Sequence, residues 1–347
     1  RILILDEPTS VLTPQEAIEL FQTLRRMADE GRGIILITHR LDEVFEAGDR
    51  VTVLRRGRVV ATKRVSETSK GELARMMVGR SVVFEAMHGE GAGPPVLEVR
   101  DLYAMGDRGL MALKGVSLEV REGEILGLAG VAGNGQRELV EVITGMRRAA
   151  RGRVLVHGED VTNKPPRLIF EKGVAYIPEE RVGVGSVPTL SVAENLILRT
   201  YRYKPFSGRV FLNEQVIRFH ASRLVEQFEI MTPSIDKPAR YLSGGNLQKL
   251  VLARELSGLI GEGIPKLIVA AYPTKGLDVR ATNFVHKTLL RYRRLGAGIL
   301  FISEDLDEIM MLSDRIAVML EGRITGLLGK GEVNRERLGL LMSKAAS

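Results

Sequence analysis

No cysteine occurs anywhere in the 347 residues. That excludes disulfides, thiolate metal ligands and a cysteine nucleophile together, and it agrees with a reducing compartment. The histidines are few and scattered: His39, His88, His157, His220 and His286. No two have the spacing by which a helix grips a transition metal, so a dedicated site of that kind is not expected. No apolar run approaches the roughly 18 residues of a membrane-spanning helix, and no secretory leader is expected. A soluble chain is expected. An initiator methionine is missing too, and Arg1 leads straight into the apolar run ILIL, so the natural start is expected upstream.

What is present suits a globular protein of two domains, with 44% hydrophobic and 27% charged residues. The net charge of +7 and a pI near 9.6 admit three kinds of partner: nucleic acid, an anionic membrane surface, or ligands bearing phosphate. Composition does not choose among them.

Self-comparison is more informative. RILILDEPTSVLT aligns with KLIVAAYPTKGLD, setting Pro8 on Pro273 and Thr9 on Thr274, an offset of 265. The register holds without a gap. LITHRLDEV meets FISEDLDEI, with Asp42 on Asp307 and Glu43 on Glu308; GDRVTVLRRGRV meets SDRIAVMLEGRI, with Asp49 on Asp314, Arg50 on Arg315 and Gly57 on Gly322. The chain therefore contains two copies of one domain. In the second copy 175 residues separate Val96 from Ala271, whereas only five precede Asp6 in the first. About 170 residues of the first copy are expected to be absent, if the repeats are of similar length. The Gly/Pro-rich HGEGAGPP, His88 to Pro95, falls between them as a linker.

Apolar β-branched runs (ILIL, IILIT, GILFIS) alternate with amphipathic stretches, the pattern of an α/β fold with a mainly parallel sheet covered by helices. Thr13-Pro14-Gln15-Glu16 is a capping box with proline at the first helical position, and Gly31 can end that helix. Ser191 to Glu194 repeats the box. VTVLRRGRVV and IAVMLEGRIT are predicted hairpins turning near Gly57 and Gly322.

Asp6 and Glu7 follow a strand, placing two carboxylates at the carboxyl end of a sheet, where α/β proteins bind ligands. In a phosphate-cleaving site the first would hold Mg²⁺ and the second would polarise water. The alternative is an acidic turn closing a strand; the following Pro8-Thr9 and the repeat favour the chemistry. His39 ends the next strand, where it is either a satisfied structural residue or a contact to a γ-phosphate.

DEPT followed by a strand ending in ITH resembles the Walker B and switch-histidine segments of an ABC transporter ATPase. LSGGNLQK, Leu242 to Lys249, resembles the signature of that family. Ser243 supplies a hydroxyl, and Gly244 and Gly245 let backbone N–H groups approach phosphate at a helix start. GLAGVAGNGQREL has the context of a P-loop, with Gly130, Gly133 and Gly135 available to cradle phosphate. It departs from that pattern at Gln136, where lysine belongs, and at Arg137, where a hydroxyl would hold Mg²⁺. Ala271 and Tyr272 replace the carboxylates, Glu304 replaces the histidine, and Glu179 in IPEER stands where the family has glutamine. A bare Glu179 or Glu304 is expected to repel phosphate, although Glu179, Glu180 and Arg181 equally fit a solvated loop.

The resemblance spans essentially the whole chain. It implies P-loop NTPase-like domains, each with a mainly parallel sheet, a helical subdomain and an antiparallel β portion. Residues 1–82 would be the C-terminal part of a first ABC ATPase domain, 83–95 a linker, and 96–347 a second, degenerate one. In the family an ATP site joins one domain's P-loop and Walker B to the other's signature. Glu7 and His39 (catalytic), Asp6 (Mg²⁺) and Ser243, Gly244 and Gly245 (ATP) would therefore make one competent site. Gly130, Gly133, Gly135 and Gln136 would belong to a spent one.

Tandem domains with a degenerate second half resemble the ATP-binding subunits of bacterial importers for simple sugars and nucleosides, with the nucleoside members matching slightly better. The implied setting is the cytoplasmic face of the membrane. The implied partners are permease subunits and an extracytoplasmic substrate-binding protein, with no nucleic acid. Two other readings stay open: a soluble ABC ATPase acting on ribosome or nucleic acid, and a non-catalytic interaction protein.

Overall fold

The computed structural model describes every residue except 1, 10–13, 39–40, 56, 79–92, 209–210, 258–262, 334 and 343–347. His39, Thr13 of the first capping box and residues 83–92 of the expected linker lie outside the described residues. The chain divides into two compact units, Arg1–Glu85 with Gly276–Asn283, and Ala86–Lys275 with Phe284–Ser347.

The first unit runs β1 (Ile2–Asp6), α1 (Pro14–Asp29), β2 (Gly33–Ile37), α2 (Leu41–Ala47), β3 (Arg50–Arg55), β4 (Arg58–Arg64) and α3 (Lys70–Val78). β1 and β2 form a parallel pair, and β3 and β4 an antiparallel hairpin turning at Gly57, whose φ of 72° suits glycine. Proline opens α1, where its missing N–H costs nothing, and Gly31 follows the helix with φ 83°.

The second unit continues with β5 (Pro95–Met105), β6 (Met111–Arg121), β7 (Ile125–Ala129), α4 (Gln136–Ile143), β8 (Arg151–Val156), β9 (Glu159–Asp160), α5 (Pro166–Glu171), β10 (Val174–Ile177), α6 (Val192–Ile197), α7 (Glu214–Gln227) and α8 (Gly244–Ser257). The chain continues with β11 (Leu267–Ala271), α9 (Val279–Arg294, in the second unit from Phe284 on), β12 (Gly298–Ile302), α10 (Leu306–Leu312), β13 (Arg315–Leu320), β14 (Arg323–Gly329) and α11 (Arg335–Met342). The second unit's six-stranded sheet has the order β10-β11-β12-β7-β13-β14, parallel except for the terminal hairpin. A separate antiparallel sheet has the order β6-β5-β8-β9. β7, β11 and β12 are buried at every residue, which is why they are continuous apolar runs rather than alternating ones.

The repeat recurs bond for bond. Ile2 pairs with Gly33 in β1-β2, and Leu267 with Gly298 in β11-β12, both partners displaced by the same 265. The β3-β4 register shifts between Val53 and Leu54, and that of β13-β14 between Val318 and Met319. Burial differs sharply. Ile2, Ile4, Ile35 and Ile37 are 48% to 73% exposed, while their counterparts Leu267, Val269, Leu300 and Ile302 are at most 1% exposed. The latter pack in one core with Val96, Leu97 and Val154 of the antiparallel sheet and with Leu139 of α4. No counterpart of those covering elements precedes β1 among the described residues.

Candidate functional site

Four carboxyl-terminal strand ends line one edge of the six-stranded sheet, where parallel α/β sheets bind ligands. β7 delivers the loop Gly130–Gly135, β10 delivers Glu179, β11 delivers Tyr272, and β12 delivers Glu304. In the first unit β1 and β2 deliver Asp6, Glu7 and Thr38 in the corresponding way.

Both repeats turn off the strand identically. Glu7 has φ 43° and Tyr272 φ 47°, an uncommon conformation for residues with a Cβ. The Glu7 N–H donates to Ile37 O at 2.8 Å, and the Tyr272 N–H donates to Ile302 O at 2.9 Å. Below each turn sits a buried carboxylate. Glu43 accepts from the hydroxyls of Thr9 and Thr38, and Glu308 from those of Thr274 and Ser303, each partner again 265 residues on. Glu308 also pairs with His286. Burial would raise the Glu308 pKa, but the bonds from His286, Ser303 and Thr274 outweigh it and hold the carboxyl below its ordinary value. The scaffold is therefore kept twice.

The chemistry on that scaffold is kept once. Asp6 and Glu7 are both exposed at the end of β1. Hard carboxylate oxygens that face water are the donors Mg²⁺ prefers, so Asp6 fits the metal. At the second turn Ala271 is 5% and Tyr272 8% exposed. Burial, with Glu304 and Glu179 nearby, pushes the Tyr272 phenol up to about 12, so it supplies no anionic oxygen at neutral pH. Ala271 and Arg137 carry no oxygen donor, so the second turn does not fit Mg²⁺.

The loop Gly130–Gly135 has closed on itself. Gln136 is 2% exposed and its Nε2 donates to Val131 O at 3.1 Å, while Asn134 Nδ2 donates to the same carbonyl at 2.9 Å. A Cβ on Gly130 would fall 2.4 Å from Gln136 Nε2, so glycine there is what lets the amide lie back across the loop. Gly135 needs glycine for a second reason, its φ of 108°. Arg137 points away, paired to Glu141 at 2.8 Å and to Asp107 at 3.5 Å.

Glu179 and Glu304 are not bare, contrary to the expectation of simple repulsion. Lys275 Nζ lies 2.8 Å from Glu179 and 3.1 Å from Glu304. Burial would lower the pKa of Lys275, but the bonds to both carboxylates prevail and raise it. Lys275 occupies the repeat position of Ser10. The sequence carried that signal, a new cation appearing with a new anion at Glu304, and it was missed. Nor is the neighbouring segment a solvated loop throughout: Glu180 is exposed, but Arg181 is half-buried and donates to Gln248 Oε1 at 3.0 Å.

Ser243 precedes α8 and its Oγ accepts from Asn246 Nδ2 at 3.0 Å and from the Asn246 N–H at 3.5 Å. Ser243 and Gly244 are exposed and Gly245 is half-buried at the start of a 14-residue helix, a position whose first-turn N–H groups favour an anion. Among the described residues no group of three or more acidic or histidine side chains gathers around a metal-sized space, and no helix is long and apolar enough to cross a membrane.

Residues 113–258 match the family described as ABC transporter. The chain is 47% identical over 345 residues to the glucose import ATP-binding protein TsgD13 of Haloferax volcanii, a match covering 99% of the chain and 62% of that protein. It is 44% identical over 344 residues to the nucleoside import ATP-binding protein NupA of Lactococcus lactis, covering 98% of the chain and 67% of that protein. To the guanosine import ATP-binding protein NupO of Bacillus subtilis it is 43% identical over 343 residues, covering 99% and 66%. The chain thus spans about two thirds of the length of the relatives it matches. The crystal structure of an ATP-binding cassette of an ABC transporter in its ADP conformation superposes with a TM-score of 0.58 at 24% identity, covering 72% of this chain and 96% of that one, a likeness of fold.

Proposed function

The chain belongs to the ABC transporter family, among the sugar and nucleoside import ATP-binding proteins, and on that premise we propose that it powers uptake of a small polar solute by hydrolysing ATP. The observation that carries the proposal is the asymmetry of the repeats. One backbone turn, held by one pattern of hydrogen bonds, bears Asp6-Glu7 in the first copy and Ala271-Tyr272 in the second. One composite ATP site is competent and the other is degenerate.

In the competent site Glu7 orients and polarises the attacking water, His39 contacts the γ-phosphate, and Ser243, Gly244 and Gly245 present a hydroxyl and N–H groups to phosphate oxygens. Asp6 would hold Mg²⁺, which when bound neutralises charge on the phosphates. Residues 1–82 then form the C-terminal part of a first ATPase domain, 83–95 a linker, and 96–347 a second domain, the rest of the first domain corresponding to the further length of the relatives. The exposed isoleucines of β1 and β2 are the face such a preceding segment would cover. The 347 residues alone are expected to be nearly inactive, for want of a lysine at the β-phosphate.

At the degenerate site Gly130, Gly133, Gly135 and Gln136 would retain nucleotide weakly through backbone N–H groups. Removing Mg²⁺ is expected to change nucleotide affinity there by less than about threefold, because no side chain links the metal to the site. Gln136→Lys alone should not confer turnover. Fluorescent-nucleotide titration with and without chelator checks the first statement. ATPase assay of Gln136→Lys in a Glu7→Gln background checks the second, and appreciable activity there would count against the reading.

Docking on membrane permease subunits, with an extracytoplasmic substrate-binding protein delivering solute, follows from the import role; no nucleic-acid partner is proposed. The surface in question runs from the Ile177–Arg181 segment to α6, whose Ser191 box closes with Glu194 Oε2 accepting from the Ser191 N–H at 2.7 Å. A cysteine at Val184, which is 52% exposed, is expected to crosslink to a membrane partner. Ala193, only 6% exposed, is unsuited to that purpose. Capture of ribosome or nucleic acid in place of a membrane protein would shift the assignment to a soluble ATPase.

A further inference from the structure

We propose that Arg181 is a positioning residue for the Ser243–Gly245 turn, tying the start of α8 to the turn after β11. The inference rests on the reading that this turn addresses the phosphates of ATP during hydrolysis.

Arg181 ends the segment Ile177–Arg181 that follows β10, and its guanidinium bonds to two other segments at once. Nε donates to Gln248 Oε1 at 3.0 Å, on the second turn of α8, and Nη2 donates to Lys275 O. Nη1 is the atom nearest to the space a Cβ on Gly244 would take, 3.9 Å away. The backbone of Arg181 is fixed in turn, because its own carbonyl accepts from Ser186 Oγ at 2.6 Å. Among the described residues no carboxylate lies within 4.0 Å of the guanidinium, although the group is half-buried. Burial without a counter-ion accordingly depresses its pKa. A structural arginine at such a place would be expected to acquire a carboxylate; this one is committed to an amide oxygen and a peptide carbonyl, which suits holding geometry rather than balancing charge.

Gln248 carries the second observation. It is 1% exposed, and its Nε2 has no hydrogen-bond partner among the described residues. Arginine is only a donor, so the amide turns its oxygen to Arg181. The bond from Arg181 is thus the contact that sets which way this buried amide faces. The same turn that Arg181 holds by its carbonyl is held by the Lys275 ammonium between Glu179 and Glu304. The residues that replaced the second site's chemistry thus support the helix start that serves the first.

A helix N-terminus stabilises a developing charge only when its N–H groups are aimed, and a displacement of about 1 Å costs on the order of 100-fold in rate. In the full-length protein assembled with its membrane partners, Arg181→Met is expected to lower kcat for ATP about 10- to 100-fold while KM changes less than about threefold. Arg181→Lys should fall nearly as far, because one ammonium cannot reproduce both bonds. Gln248→Leu, a milder change that keeps the arginine, should lower kcat in the same sense, and the double variant should be no worse than the poorer single one.

Folding is checked by thermal melting of each variant, and Gln248→Leu stands in should Arg181→Met not fold. A kcat within about twofold of wild type in folded Arg181→Met, a loss confined to KM, or strictly additive single effects would each overturn the proposal. Glu7→Gln, assayed alongside, separates the two levels of argument. Loss of turnover in Glu7→Gln with normal turnover in Arg181→Met refutes only the positioning role, whereas turnover surviving in Glu7→Gln refutes the functional reading beneath it.

Discussion

Glu7→Gln in the full-length protein is expected to abolish steady-state ATP hydrolysis, to below about a hundredth of wild type, while ATP binding stays within about twofold. The loss corresponds to about 2.7 kcal/mol of transition-state stabilisation, the lower range of what a positioned general base contributes. Glutamine keeps the size and polarity of the side chain and the turn at φ 43°, whose N–H bond to Ile37 O does not depend on the carboxylate. Binding should survive because phosphate is held by other groups. Tyr272→Phe, at the matching turn, should leave turnover unchanged, since a phenol pushed up to about 12 has no charge to lose. Residual activity in Glu7→Gln above about a tenth of wild type would contradict the assignment of Glu7.

Glu308→Ala is expected to destabilise the second unit by about 3–5 kcal/mol, the range seen when one partner of a buried ionic or hydrogen-bonded cluster is removed. Glu308 is 6% exposed and accepts from Thr274, Ser303 and His286, so its loss leaves three donors without their acceptor. The pH dependence follows from the depressed pKa. The stabilisation is fully present above the ordinary carboxylate range, about 4.3, and is lost as pH falls through the lower value of the folded state. Denaturant midpoints measured from neutral pH down to about pH 3 should fall on acidification in the wild type and fall less in Glu308→Ala. An unchanged midpoint at neutral pH would mean the cluster is replaceable.

Local sequence carried the features that depend on near neighbours. β7, β11 and β12 are legible because burial on both faces demands unbroken apolar runs, and the hairpins because Gly57 and Gly322 take positive φ. The repeat was legible because identical bonds require similar residues at a fixed offset. Distant pairings were not. Lys275 meets Glu179 across 96 residues, and Arg181 meets Gln248 across 67, which no periodicity reports. The sequence pattern marks Gln136 as a missing lysine, but its own role, filling the space above Gly130, follows from burial alone. Glu179 and Glu304 are each repulsive to phosphate when considered singly; brought together by the fold they bind an ammonium instead.

Vanadate trapping of ADP in the full-length protein tests the central claim, that each chain has one hydrolytic site built on the acidic repeat. One ADP trapped per chain is expected, lost in Glu7→Gln and retained in Tyr272→Phe. Two ADP per chain, or trapping that survives Glu7→Gln, would contradict it.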